Sequence, residues 1–272
     1  MHTYIITTKD HSCKDLKAIK ERLERLGFQV SLIEGVKGAE LTASEYFRHI
    51  QFWRSHTGRL MTPGELGCAL SHQKALRLAA QHGTGFQLFL EDDFIASDSA
   101  LEWIHETSAQ LPPQTILHLG GLEGSPERLY RYIRARNVPE MPNIAVLESS
   151  DIVFLKRTVA YAIDAATANI MADLIEKTPY VIDDFSYPYD AGAFKQVWFR
   201  WIVSHPRDAH TSTIELERKR LGITRKSASW KVRSWTDLSR KRRLQWQLLW
   251  RRLTTKRNRF IKMSQSGNQL AG

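Results

Sequence analysis

From His2 to His205 the apolar positions fall into two alternating rhythms. Short dense runs such as Tyr4-Ile5-Ile6, Phe28 to Ile33 and Phe86 to Leu90 have the length and residue content of buried strands. Between them, apolar residues recur every three or four positions. Leu16, Ile19, Leu23 and Leu26 form one such stripe and predict a helix over 15–26, stopped by Gly27. A strand over 2–7, this helix and a strand over 28–33 make a βαβ opening, and the alternation favours a parallel sheet. A further helix is expected over 41–53, capped by Thr42 or Ser44. The next begins at Thr62, where Pro63 suits the first helical position and Glu65 completes a capping box, and runs toward Ala80. Gly64 and Gly67 weaken its first turns relative to alanine. Their use is close approach of another backbone or of a ligand.

After the strand ending at Leu90, the pattern predicts a helix over 98–111, closed by Pro112-Pro113, and a strand over 115–119. Residues 122–144, with Tyr130 and Tyr132, read as a long irregular loop that could fold over a substrate. Strands are expected over 144–147 and 152–155, a helix over 159–175, and a last strand over 197–203 before Ser204-His205-Pro206. Pro179 to Phe185 is a second apolar run ending in acids, Asp183 and Asp184. These elements define an α/β domain over 1–215.

Charge changes the picture beyond that point. Between Arg218 and the C-terminus lie 17 Lys and Arg and a single acid, Asp237, a net charge of +16. The whole chain carries +10, so residues 1–217 carry −6. Trp230, Trp235, Trp246 and Trp250 lie among these cations, and Trp235, Leu238, Trp246, Leu249 and Leu253 fall near one helical face. A basic amphipathic helix with tryptophans suits a membrane interface. Residues 216–263 are therefore expected to form a membrane-association tail, meeting an anionic surface through 218–262, with 264–272 disordered. Two distant cysteines, Cys13 and Cys68, imply no disulfide framework and fit a reducing cytosol. The N-terminus has no signal-peptide pattern, and no run is apolar enough to span a bilayer.

The candidate chemistry sits at Glu91-Asp92-Asp93, where a buried strand ends in three carboxylates. Open α/β sheets place ligands at the carboxyl ends of their strands. Carboxylate oxygens suit hard cations that bridge to phosphates. The stretch reads either as a metal–diphosphate site or as a solvated acidic turn.

The string Thr62-Pro63-Gly64-Glu65-Leu66-Gly67-Cys68-Ala69-Leu70-Ser71-His72, followed by Leu90-Glu91-Asp92-Asp93, resembles glycosyltransferase family 25. Two further pieces agree: Ala160-Tyr161-Ala162-Ile163 with Ala166 and Ile170, and Val181-Ile182-Asp183-Asp184-Phe185. The resemblance covers roughly residues 2–205. It implies a GT-A type fold with a mixed, mostly parallel sheet flanked by helices. It also implies a nucleotide-sugar donor, often UDP-galactose, inversion at the anomeric carbon, and a lipopolysaccharide or other glycan or glycolipid acceptor. Glu91-Asp92-Asp93 would play the part of the Asp-x-Asp motif with Mn²⁺ or Mg²⁺. Where family members often carry Leu and Arg after the first strand, this chain reads Thr7-Thr8-Lys9-Asp10-His11-Ser12.

On this reading Asp93 is the leading metal ligand, and His205 supplies another ligand, a phosphate contact, or only a hydrogen bond at a strand end. Thr7, Gly64, Glu65, Glu91 and Asp92 are expected around the donor, with Glu65 on a sugar or ribose hydroxyl or acting as a helix cap. An inverting enzyme needs a general base opposite its leaving group, and Asp183 is the candidate, with Asp184 its rival. The enzyme would lie in the cytoplasm, peripheral on the inner face of the bacterial inner membrane. One rival is a glycoside hydrolase using two carboxylates without nucleotide or metal. Another is a membrane- or nucleic-acid-binding protein driven by the tail, against which stand the acidic body and the lack of a nucleic-acid motif.

Overall fold

The structure is a computed structural model and describes residues 1–82, 85–123, 133–139, 141–206 and 213–220. The expected tail beyond residue 220, with its tryptophans, and the tyrosines at 130 and 132 lie outside these residues. Eight strands form one sheet in the order β2-β1-β3-β7-β4-β8-β6-β5. They are β1 (His2–Thr7), β2 (Gln29–Glu34), β3 (Phe86–Glu91), β4 (Thr115–Gly120), β5 (Ala135–Val138), β6 (Met141–Leu147), β7 (Ala160–Asp164) and β8 (Gln196–Val203). The helices are α1 (Lys14–Arg25), α2 (Ala43–Thr57), α3 (Pro63–Gln81), α4 (Asp98–Ser108), α5 (Ala165–Lys177), α6 (Ser186–Asp190) and α7 (Thr213–Arg220).

The sheet is mixed, as the resemblance implied. Strand β1 pairs parallel with β2 and β3, and β4 pairs parallel with β8. Strand β7 is antiparallel to both β3 and β4, and β6 is antiparallel to β5 and β8. The parallel set β1, β3, β4 and β8 therefore presents its carboxyl ends along one edge, where the start of β7 joins them.

Alternation along each strand supplies two core layers. Tyr4, Ile6 and Phe89 face Leu66, Ala69 and Leu76 of α3 and Met171 and Ile175 of α5. Ile5, Leu88 and Leu90 face Leu16 and Leu23 of α1 and Leu101 and Ile104 of α4. Helix α3 carries the capping box read from its sequence. The Glu65 amide donates to the Thr62 hydroxyl (3.1 Å), and the Glu65 carboxylate accepts from the Thr62 amide (2.8 Å).

Several expectations are corrected. Residues 159–175 hold a strand and then a helix, because Ala160 to Ile163 is fully enclosed between β3 and β4, and a fully buried strand shows no alternation. The Asp164 side chain accepts from the Thr167 amide (2.8 Å) and starts α5 there. Residues 152–155 fall in and just after a 3₁₀ segment, Ser149–Phe154. The stretch read as loop over 122–144 contains β5 and the first part of β6. Asp183 and Asp184 close a turn rather than a strand, the Asp184 amide donating to the Val181 carbonyl (2.8 Å).

The two helical glycines are explained by packing. A Cβ on Gly67 would lie 2.4 Å from the Val36 carbonyl oxygen and 2.7 Å from the Gly38 amide nitrogen, both backbone atoms. Gly67→Ala is expected to cost about 1–3 kcal/mol in urea unfolding, because α3 must retreat from the segment after β2. At Gly64 the neighbours are Ile214 and Glu217 of α7, whose carboxylate accepts from the Gly64 amide (2.7 Å).

Candidate active site

The register of the sheet builds the site. Parallel pairing sets Ile6 beside Glu91, so Thr7 and Asp92 follow as neighbours, and the Thr7 hydroxyl donates to the Asp92 carboxylate. The Lys9 amide donates back to the Thr7 hydroxyl (3.0 Å), and Lys9 Nζ lies 3.4 Å from Asp92 Oδ1. Antiparallel pairing brings the start of β7 to the end of β3. The Glu91 amide donates to the Val159 carbonyl (2.9 Å), and the Thr158 hydroxyl donates to Glu91 Oε1 (2.5 Å). A bridge between Ile95 and Ser204, bonded both ways at 2.7 and 2.8 Å, draws His205 to the turn that carries Asp93.

His205 Nε2 lies 3.1 Å from the Glu123 carbonyl oxygen. A carbonyl only accepts, so Nε2 is the donor, and in the neutral ring the lone pair falls on Nδ1. Asp93 reaches solvent, yet the surrounding protein and then the Glu91 charge push its carboxyl above the usual range. His205 opposes that shift and Asp92 adds to it. Burial works against the Glu91 charge, but His72 Nε2 at 3.8 Å, the Thr158 hydroxyl and Arg157 hold it below its ordinary value. Adjacent carboxylates at Asp92 and Asp93, the second raised by burial and by neighbouring charge, are of the type that suits a hard divalent cation. Asp92, Asp93 and His205 offer oxygen and imidazole donors of the kinds magnesium or manganese accept, but their ligand atoms do not gather within 4.8 Å of one another as they stand.

The second acidic turn approaches the same region. Burial pushes the Cys68 thiol well up, and the nearby charges of Glu91 and Asp183 add to it. Among the described residues Asp183 makes no hydrogen bond or ion pair. Asp184 is engaged: its Oδ1 accepts from the Ser186 amide (3.2 Å) and hydroxyl (2.5 Å) at the start of α6, and Lys156 Nζ lies 3.5 Å away.

Glu65 is enclosed at the head of α3. Arg59 donates to both of its oxygens (2.7 and 2.9 Å), and Arg218 of α7 donates to Oε1 through two nitrogens (2.8 and 2.6 Å). Burial opposes its charge, and the two guanidiniums reverse that and hold its pKa low. Gly64 and Glu65 are thus covered by α7, while Thr7, Glu91, Asp92, Asp93 and His205 lie at the strand ends, and the charges of both Glu65 and Glu91 reach Cys68 between them on α3.

Arg157, Thr158 and Lys9 escaped the sequence reading. Arg157 stands at φ 80°, a left-handed conformation unusual for a side chain of its size. Its carbonyl accepts from Nε2 of the buried His118 (2.9 Å), whose Nδ1 accepts from the Gly120 amide (3.3 Å). The ring is therefore neutral, and burial lowers its pKa to about 4. An unfolded histidine titrates near 6.5, so between pH 6.5 and 4 the unfolded chain binds a proton that the folded chain refuses. Stability should fall across that window as pH drops, by about 3 kcal/mol. His118→Phe should remove that part of the slope when urea unfolding is compared at pH 7 and pH 4.5.

Comparison with known proteins meets this geometry. The family model described as glycosyltransferase family 25 (LPS biosynthesis protein) matches residues 1–186 of the 272. The chain belongs to glycosyltransferase family 25. It is thus a transferase, and the hydrolase reading is set aside. The match spans β1 to the start of α6 and so includes every strand-end acid described above. Among solved structures, the family 25 chain is similar to a glycosyltransferase involved in the glycosylation of the major capsid of PBCV-1. The identity is 8%, with 82% of this chain and 98% of that one covered at a TM-score of 0.40. It is also similar to the mannose-1-phosphate geranyltransferase from Thermus thermophilus, at 12% identity, 75% and 74% coverage and a TM-score of 0.36. No curated protein matches the chain significantly.

Proposed function

We propose that this glycosyltransferase moves galactose from UDP-galactose onto a lipopolysaccharide or related surface-glycan acceptor with inversion at the anomeric carbon. The observation that carries the reading is the acid cluster closing β3, with Asp183 making no hydrogen bond or ion pair among the described residues and, like Glu91, close enough to Cys68 to act on its thiol. Asp92, Asp93 and His205 would hold a divalent cation, Mn²⁺ or Mg²⁺, which when bound supplies Lewis-acid charge to a departing diphosphate. Thr7 and Lys9 orient Asp92, and Thr158 orients Glu91, so the acids are fixed before the donor arrives. Asp183 takes the proton of the acceptor hydroxyl on the side away from the leaving group. Asp184, tied to Ser186 and Lys156, is left to hold the turn. Family membership supports a nucleotide-sugar donor in general, and the choice of galactose and of inversion rests on the sequence resemblance. The test is a UDP-sugar screen with Mn²⁺ and a glycan acceptor, with the product linkage read by NMR. A β-linked galactoside is expected. Preference for another sugar, or an α-linked galactoside, would overturn the donor or the inversion respectively.

The reading extends to the inner face of the bacterial inner membrane, where residues 218–262 would meet anionic lipid. Each Lys or Arg near such a surface contributes about 1 kcal/mol, and tryptophans anchor at the headgroup level. Because Arg218 is bonded to Glu65, the informative truncation is after Arg220. It should abolish salt-sensitive sedimentation with phosphatidylglycerol vesicles while leaving donor binding unchanged. Equal sedimentation of the truncated chain would refute the membrane role.

A further inference from the structure

On the α3 side of the acid cluster lies a second group of potential ligands with different chemistry. Cys68 and His72 are one helical turn apart on α3 and share a face. Glu91 comes up to them from the end of β3, on the same sheet face as Phe89. One ligand atom from each of the three, sulfur, imidazole nitrogen and carboxylate oxygen, lies within 4.8 Å of the others. His72 is fully buried, and its Nε2 has no hydrogen-bond partner among the described residues, an expensive state for a ring nitrogen. That atom points toward Glu91, with 3.8 Å to Oε1. Its other nitrogen is engaged, with Nδ1 2.9 Å from the Tyr161 hydroxyl.

We infer that Cys68, His72 and Glu91 form a binding site for a soft divalent cation of the zinc class, separate from the oxygen-rich site at Asp92 and Asp93. Zinc takes this mixture of sulfur, nitrogen and carboxylate ligands, often as three protein ligands with a fourth position left open. Magnesium and manganese favour oxygen, so the two sites would sort ions by chemistry. Bond lengths of about 2.0–2.3 Å put tetrahedral ligands roughly 3.5 Å apart. Atoms that lie within 4.8 Å of one another therefore need to close by no more than about 1.3 Å, within reach of a side-chain rotation. A thiolate and a carboxylate balance the charge of the ion, and the thiol proton leaves to solvent on binding. The outer contacts are in place. A metal-bound His72 donates from Nδ1 to the Tyr161 hydroxyl, and Thr158 holds Glu91, the kind of support that orients metal ligands. The ion would tie α3 to the end of β3 and fix Glu91, leaving Asp92 and Asp93 to the donor.

The test uses the full-length chain, stripped of metal by chelator and titrated with Co²⁺, which reports thiolate ligation through a near-ultraviolet charge-transfer band. The chain has two cysteines, and Cys13 packs against the opposite core layer, so the band is assignable. The expected result is a saturable band that is abolished in Cys68→Ser, absent or strongly weakened in His72→Gln, and retained in Asp93→Asn. Zn²⁺ should displace the cobalt, and Tyr161→Phe should weaken binding roughly tenfold or more. No thiolate band in the wild-type chain, or a band that survives Cys68→Ser, would overturn the site. Loss of the band in Asp93→Asn would overturn its separateness. Because the readout is spectroscopic and needs no donor or acceptor, the site stands or falls independently of the proposed sugar and mechanism.

Discussion

Asp93→Asn is expected to lower sugar transfer by at least about 10²-fold, the scale of losing a preorganised group that meets developing charge. The residue projects from the turn after β3, and no strand depends on its side chain. Its carboxyl is pushed up by the surrounding protein, by Glu91 and by Asp92, so removing its charge relieves repulsion in the metal-free fold. Thermal unfolding of the metal-free variant should therefore match or exceed that of the wild type while turnover collapses. Raising Mn²⁺ should not restore the rate. A variant with near-normal turnover would remove Asp93 from the reaction, and a fall in stability matching the fall in activity would make its role structural.

Asp183→Asn is expected to reduce transfer by about 10²–10⁴-fold, the usual contribution of a positioned general base, with donor affinity unchanged. The amide has nearly the same shape and cannot take a proton at neutral pH. The neighbouring residue supplies the control. Asp184 Oδ1 accepts from both the amide and the hydroxyl of Ser186, so Asp184→Asn should cost on the order of 1 kcal/mol of stability and little activity. If the two variants exchanged these behaviours, the base would be Asp184, and the turn would have to reorganise on binding its acceptor.

The strands of the parallel half were legible because their ends are punctuated. Gly27 and Gly35 bracket β2 and the acids after Leu90 close β3, each within a residue or two, and the Thr62–Glu65 box fixes the start of α3. Strand β7 was not legible. Ala160 to Ile163 sits between two strands, so both faces are apolar, and it runs straight into α5, whose spacing extends backward over it. Missing β7 hid Arg157 and Thr158, which reach the site only because an antiparallel strand starts where β3 ends. Chemical type was readable at Glu91, Asp92 and Asp93, whereas the partners of Glu65 depend on α7, far along the chain. Two arginines around a carboxylate 1% exposed leave no pattern in local spacing.

The central claim is that the acids closing β3 hold a cation that receives a nucleotide diphosphate. Isothermal titration of UDP into the metal-free protein, repeated with Mn²⁺ and then with Asp93→Asn, tests it most directly. Binding that appears with Mn²⁺ in the wild type and vanishes in the variant is the predicted result. UDP binding of equal strength without metal and in the variant, or no binding under any of these conditions, would contradict it.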